Sequence, residues 1–445
     1  MKILFISLGC DKNLADSEEM LGLLTGSGHE IVDSEEEAEA IVVNTCCFIH
    51  DAKEESINTI LEMAEYKKSG ICQVLIVTGC MAQRYKEEIV QEIPEVDAVL
   101  GTTSYDDIVQ ALNEASAGKH FEEFKDINFL PEDSGRRVIT TGGHFGYLKI
   151  AEGCDKHCTY CIIPSLRGNF RSVPEERLLA QAEYMASQGV KELILVAQET
   201  TVYGTDLYGK KTLHLLLRKL CQIKGIRWIR ILYCYPEEIY DELIQVMKEE
   251  KKICHYLDLP IQHCSDRILK RMGRRTSKAQ LVEIITKLRK EIPDIVLRTS
   301  LITGFPGETE EDHQELMEFV DEMEFDRLGV FTYSPEEDTP AATMKDQIPE
   351  ELKEERRDEI MELQQEISLD KGNQRIGQEM LVMIEGKVSG ESAYIGRTYM
   401  DAPKVDGYMF VQTGELMVTG DFAKVRVTGA LEYDLIGELT DEYTE

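Results

Sequence analysis

Residues 153–161, GCDKHCTYC, place Cys154, Cys158 and Cys161 within eight positions at the spacing C-x3-C-x2-C. Three thiolates on one short loop can hold one face of a four-iron cluster and leave the fourth iron with an open site. A cluster used only to carry electrons has every iron ligated; an open iron binds something small. The competing reading is zinc, with His157 or a distant residue as fourth ligand. The usual zinc pattern adds a second C-x2-C or an H-x3-H, and neither occurs here. Unliganded thiols are the third reading. The run 147–151, YLKIA, reads as a short strand leading into the loop.

A second cysteine set is spread along the first hundred residues. Cys10, Cys46 and Cys80 each follow an apolar, strand-like run, at 2–7, 40–44 and 74–78. Helical patterns lie between them, one after Asp16 and Ser17 and one over 52–66, and a further strand is expected at 98–100. This βαβ alternation predicts an open parallel sheet covered by helices. The carboxyl ends of such strands share one edge, where ligands bind. Three cysteines at three strand ends can therefore converge on a second three-thiolate cluster, although 36 and 34 residues separate them. Three small buried thiols are the alternative. Cys47 beside Cys46 leaves open which of the two is the ligand, since an extended chain points them opposite ways. Cys72, Cys221, Cys234, Cys254 and Cys264 lack ligand spacing and read as buried or incidental thiols.

At 445 residues the chain is too long for one core. Residues 1–125 form the first expected domain, and 121–140 are charged and irregular and read as a linker. Over 140–371, strands at 146–150, 192–197, 227–232, 255–259, 295–302 and 328–333 alternate with helical segments. Six such units fit a partial (β/α) barrel whose chemistry lies at the C-terminal mouth, where the C-x3-C-x2-C loop must sit. A charged helix over 347–371 follows. Residues 374–445 carry short alternating segments separated by turns and predict a small all-β barrel.

The net charge is −34, from 49 basic and 83 acidic residues. Phosphate contacts dominate nucleic-acid affinity, so a field of this sign disfavours RNA and favours a basic protein. Acidity for solubility alone is the plain alternative. No run of 18 apolar residues exists, so no membrane span is expected. Twelve cysteines without a secretory signal indicate a reducing cytoplasm and metal ligation.

The cysteine loop, with Tyr160 before its last cysteine, resembles the radical S-adenosylmethionine (SAM) signature. The chain as a whole resembles the methylthiotransferase family, whose members join a three-cysteine domain, a radical SAM barrel and a TRAM β-barrel. Within that family four stretches resemble the branch acting on ribosomal protein S twelve: SLGCDKNLADSE at 7–18, CIIPSLRG at 161–168, AQETTVYGTD at 197–206 and GRTYMDAPKVDG at 396–407. The tRNA-modifying branch typically opens with GCQMN instead. Two departures stand out, Glu199 where Asp is usual and Cys47 where Gly is usual. The motif alignment favours Cys46 as the ligand.

The resemblance implies two 4Fe-4S clusters, one on Cys154, Cys158 and Cys161 and one on Cys10, Cys46 and Cys80. It implies that SAM is split at the first to give a radical that takes a hydrogen from an aspartate β-carbon, and that the second carries sulfur methylated by a second SAM. Gln198, Arg298 and Gly304 are candidate SAM contacts, with a structural barrel role for each as the alternative. No catalytic residue is expected beyond the cluster ligands. The partners implied are ribosomal protein S twelve, free or in the small subunit, and an electron donor such as flavodoxin or ferredoxin. The runner-up is a tRNA adenosine methylthiotransferase; a non-enzymatic iron–sulfur scaffold or RNA-binding module is a third reading. The last 72 residues hold six basic and thirteen acidic side chains, a net of −7, which favours a basic protein. An RNA reading would need local cations such as Arg397 and Lys404.

Overall fold

The computed structural model describes residues 1–132 and 135–443. Strands β1 (Lys2–Ser7), β2 (Glu30–Val32), β3 (Ala40–Thr45), β4 (Val74–Gly79), β5 (Ala98–Leu100) and β6 (Phe121–Glu123) form one sheet in the order β2-β1-β3-β4-β5-β6. Every pairing is parallel. The central strands β3 and β4 are buried along their whole length, as a sheet covered on both faces requires. The two edges, β2 and β6, were not legible in the sequence. Each is three residues long, too short to show a pattern of its own, and takes its place by pairing to a finished neighbour while Ile31, Val32 and Phe121 pack on the core. Strand β6 therefore falls inside the stretch expected to be linker. Of that linker, Asp133 and Ser134 lie outside the described residues.

The middle of the chain forms a second, open parallel sheet from β7 (Phe145–Lys149), β10 (Glu192–Val196), β11 (Trp228–Ile231), β12 (Ile253–Asp258), β13 (Val296–Thr303) and β14 (Arg327–Thr332). Their order is β14-β13-β12-β11-β10-β7, the expected six-unit partial barrel. Two short strands, β8 (Ala151–Glu152) and β9 (Arg171–Ser172), pair antiparallel around the cysteine loop.

Alternation along these strands sorts side chains to two faces. Leu148, Leu193, Leu195 and Leu257 join a core with the surrounding helices. Phe145, Tyr147, Ile194, Trp228, Tyr256 and Val296 face inward and share a core with the C-terminal domain. That domain is a closed barrel of β15 (Glu379–Lys387), β16 (Ala393–Arg397), β17 (Met409–Gln412), β18 (Phe422–Ala430) and β19 (Leu435–Tyr443). Its Met383, Met400, Phe422 and Val425 fill the hollow of the partial barrel.

Candidate active site

The three glycine–cysteine steps begin at strand ends, and the backbone explains two of the glycines. A Cβ on Gly9 (φ +86°) would lie 2.9 Å from Cys46 Sγ, so glycine lets the Cys10 loop pass against the second cysteine. A Cβ on Gly153 (φ +78°) would lie 2.1 Å from the Asn169 carbonyl. The residue before Cys154 therefore seats that loop on the chain leaving it.

In the N-terminal domain Cys10, Cys46 and Cys80 come together at the carboxyl edge of β1, β3 and β4. Burial pushes the Cys46 thiol up to about 12, and the neighbouring Cys80 and Cys10 add to the rise. Burial also raises Cys80, with Arg167 opposing it. Cys10 is exposed and the other two are buried. Cys47 is wholly buried and joins the core containing Ile41, Val43, Leu75 and Val77. Burial pushes its thiol up to about 12, with Cys80 adding and Arg84 opposing.

The C-x3-C-x2-C loop occupies the mouth of the partial barrel. Cys154 and Cys158 are buried, Cys161 is half-buried, and burial pushes Cys154 up to about 11 and Cys161 up to about 12. The loop is held from outside: Thr159 N donates to the Met272 carbonyl (2.9 Å) and the Thr159 carbonyl accepts from Ala341 N (2.9 Å). Cys158 Sγ lies 3.9 Å from the Tyr235 hydroxyl. His157, the candidate zinc ligand, is exposed and has a left-handed backbone (φ +52°). Among the described residues no three His, Cys, Asp or Glu side chains close around a single ion. Every cysteine is a free thiol.

The candidate SAM contacts have different surroundings. Gln198 Nε2 donates to Glu152 Oε1 (2.8 Å), while its own Oε1 is buried with no partner among the described residues. Arg298 points into the hollow, where it meets Asp258 (2.7 Å), Ser300 (3.3 Å) and Asp406 of the C-terminal barrel (3.4 Å). Gly304 packs on Lys353, whose Cγ lies 2.1 Å from the position of an added Cβ. The neighbouring Phe305 brings this loop to the cysteines, its ring meeting Tyr160 edge-on at 6.4 Å.

Other polar residues at the site were quoted in motifs but given no role by the sequence. Helix α1 (Asp11–Gly26) buries Lys12, Asn13, Asp16, Ser17, Glu18 and Glu19 between the first two domains. Lys149 pairs with Asp16 and with Glu152 (2.7 Å), and Arg137 with Glu18 (2.6 Å). Lys12 Nζ stands 3.3 Å above the Tyr233 ring, a cation–π contact. Tyr233 itself is held in the left-handed region (φ +59°). The available signal was a run of charged residues on a helix that a two-sided sheet must cover.

The stretch 396–407 lies at a second seam. Arg397 is fully buried and pairs with Glu192 (2.8 Å) and Glu385 (2.6 Å). Arg230 meets the same Glu192 (2.8 Å), Arg327 meets Asp401 (2.5 Å), and the Tyr256 hydroxyl donates to Asp406 (2.7 Å). Arg397 is thus unavailable to any RNA, whereas Lys404 is exposed.

Comparison with known proteins agrees with this architecture. Residues 2–101 match an uncharacterized protein family, UPF0004, residues 148–320 the radical SAM superfamily and residues 376–440 the TRAM domain. The solved structure of TsrM from Kitasatospora setae, with cobalamin and a [4Fe-4S] cluster bound, shares the fold at TM-score 0.55 and 12% identity, over 88% of this chain and 80% of its own. OxsB, a cobalamin-dependent radical SAM enzyme, shares it at TM-score 0.53 and 14% identity, over 82% of this chain and 56% of its own. Fold and cysteine loop together define a radical SAM enzyme carrying an extra cysteine-bearing α/β domain and a TRAM barrel, one that uses iron–sulfur chemistry and SAM. The ribosomal protein uS12 methylthiotransferase RimO of Lachnoclostridium phytofermentans is 67% identical over 98% of this chain and 99% of its own length. Those of Clostridium perfringens and Acetivibrio thermocellus are 52% and 51% identical, each over 99% of this chain and 98% and 99% of their own lengths. The chain belongs to the RimO family of radical SAM methylthiotransferases.

Proposed function

We propose that this enzyme places a methylthio group on the β-carbon of an aspartate in ribosomal protein uS12, using two 4Fe-4S clusters and two molecules of SAM. The observation that carries the reading is the pairing of two cysteine triads, at a sheet edge and at a barrel mouth, in a chain 67% identical to a named uS12 methylthiotransferase. Cys154, Cys158 and Cys161 would hold the cluster that faces SAM, and Cys10, Cys46 and Cys80 the second. When bound, these groups supply hydrogen abstraction from the aspartate carbon and a methylated sulfur to replace that hydrogen.

The chain's own residues bind, orient and exclude water. Gln198 is anchored by Glu152 and keeps one buried oxygen free, which an amino or hydroxyl group of SAM would satisfy. Arg298 and Gly304, already engaged with Asp258, Asp406 and Lys353, would shape the cavity from behind. The C-terminal barrel fills the hollow below and keeps solvent from a carbon radical. The working division is 1–125, 140–371 and 374–445. A low-potential carrier such as flavodoxin or ferredoxin would reduce the barrel cluster. No helix among the described residues is long and apolar enough to cross a membrane, and a ribosomal substrate implies work in the cytoplasm.

Protein is favoured over tRNA because the last domain is acidic and its Arg397 is sealed inside. Mass spectrometry of uS12 and of tRNA from a strain lacking this gene tests the reading. Loss of a methylthio increment from one uS12 aspartate, with tRNA unchanged, is expected. A changed tRNA with intact uS12 would replace the substrate assignment with the adenosine one.

A further inference from the structure

One side chain of the barrel domain reaches a thiol of the N-terminal domain. Arg167, at the end of the run that begins with Cys161, is 2% exposed. Its Nη2 lies 3.4 Å from Cys80 Sγ and donates to Asn13 Oδ1 at 2.6 Å. Its Nη1 donates to Asp16 (2.8 Å) and Glu152 (3.3 Å). Asn13 completes the set from the other side. Its Nδ2 donates to the carbonyls of Leu8 and Thr45, both at 2.9 Å. Leu8 lies two residues before Cys10, and Thr45 directly before Cys46. One amide thus ties the first two cysteine loops, and one guanidinium ties that amide to the third cysteine.

We propose that Asn13 and Arg167 form a clasp, a pair of positioning residues that sets the spacing of Cys10, Cys46 and Cys80 and aims a charged N–H donor at the Cys80 sulfur. The clasp presupposes that these thiols hold an iron–sulfur cluster. Its first consequence is geometric: the clasp is complete only while the two domains are docked, because Arg167 belongs to the other domain. The second is electronic. Hydrogen bonds to ligand sulfur tune cluster potentials, and a charged donor favours the more negative, reduced state. Arginine suits the task because its planar fork serves Asn13, Cys80, Asp16 and Glu152 together, which a lysine point charge cannot do. Lysine at 167 keeps the positive charge, and Lys149 already pairs with Asp16 and Glu152, so the two carboxylates still face two cations when Arg167 is changed to lysine.

The test uses the full chain with Cys154, Cys158 and Cys161 all replaced by Ala, so that iron reports only the N-terminal triad. In this background Arg167→Lys and Asn13→Ala are compared with Asp16→Asn, which removes a partner of Arg167 but leaves the clasp. Iron content and the reduction potential followed by electron paramagnetic resonance are read. In chains that keep all six candidate ligand cysteines, methylthio product per 5'-deoxyadenosine is read. Both clasp variants are expected to move the potential downward and to lower that ratio about ten-fold, the effect typical of groups that orient metal ligands. Asp16→Asn is expected to move neither as far. An unchanged potential and ratio in Arg167→Lys and Asn13→Ala would overturn the clasp, as would an equal effect of Asp16→Asn. If Arg167→Lys holds no iron, Asn13→Ala decides by the same two readings. If the triple-alanine background itself binds no iron, the assignment of the triad as cluster ligands fails first.

Discussion

The partial barrel meets its two neighbours across buried polar seams built from the same materials. Toward the N-terminal domain, Arg167, Lys149 and Arg137 face Asp16, Glu152 and Glu18. Toward the C-terminal barrel, Arg230, Arg397 and Arg327 face Glu192, Glu385 and Asp401. The first seam keeps donors in reserve for groups that are not carboxylates, the Cys80 thiol and the Asn13 amide. The second spends its cations on carboxylates and backbone carbonyls and contains none of the six candidate ligands. Stretches that resemble one family at both seams therefore serve different ends. One set arranges thiols, and the other closes a hollow.

The largest effect expected is at the thiols. Replacing Cys154, Cys158 and Cys161 with Ala should abolish SAM cleavage and lower iron from about eight to about four per chain, for two four-iron clusters. Cys46→Ala should abolish methylthio transfer and remove the other four. Loss of all iron in the first variant, or zinc in either site, would erase the distinction between a reactive seam and a sealing one.

A smaller, purely structural loss is expected at the second seam. Arg397→Met leaves Glu192 with one cation where it had two and strips Glu385 of its guanidinium. Breaking buried pairs of this kind destabilises by about 3–5 kcal/mol, to be read from urea unfolding. Iron content should stay unchanged. The exposed pair Arg426–Glu379 (2.7 Å) offers the control; Arg426→Met should cost less than about 1 kcal/mol. Equal losses would mean that the second seam holds nothing together.

Acid should loosen the second seam in a graded way. Burial alone would raise Glu192, but Arg397 and Arg230 outweigh it and hold the carboxyl below its ordinary range. At Glu385, His144 and Arg397 likewise overcome burial. A carboxylate depressed in the folded state stabilises it above the unfolded carboxylate range and loses that contribution as pH falls through the depressed value. Asp406 moves the other way, because burial raises it against Arg298 and Arg327. The measurable quantity is therefore the difference. The fall in urea midpoint between neutral pH and about pH 3 should be shallower in Arg397→Met than in the parent. Parallel slopes would assign the acid sensitivity elsewhere.

The smallest effect is at Cys47. Its side chain joins the sheet core, while Cys46 Sγ faces the Cys10 loop. Cys47→Gly should cost about 1 kcal/mol in stability, the centre of the range for single substitutions, with iron and activity retained. Loss of the N-terminal cluster would make Cys47 the ligand in place of Cys46.

How much was legible follows from the range of each signal. Strand-end cysteines and apolar runs are local, so the two triads and all six strands of the partial barrel could be read directly. Strands β2 and β6 could not, since a strand of only three residues acquires its conformation from a neighbour. Asn13 and Arg167 are 154 residues apart, and neither has a pattern in its own window that announces the other. Arg397, which only the RNA alternative needed, was illegible in a different way. As a cation in an acidic domain it reads as a surface contact, and only the fold shows that Glu192, 205 residues earlier, is waiting for it.

The position of β19 within the C-terminal barrel has a consequence for biosynthesis. This strand pairs with β17 on one side and β18 on the other, and it lies later in the chain than both. Chains fold from the N-terminus as they are made. A nascent chain that has not yet released residues 435–443 carries an unclosed barrel, and the hollow above it stays open to water. Glu192 and Arg230 are already together at that stage, both on finished strands. Completion of β19 therefore sets when the barrel that packs on Tyr147, Trp228 and Tyr256 can close.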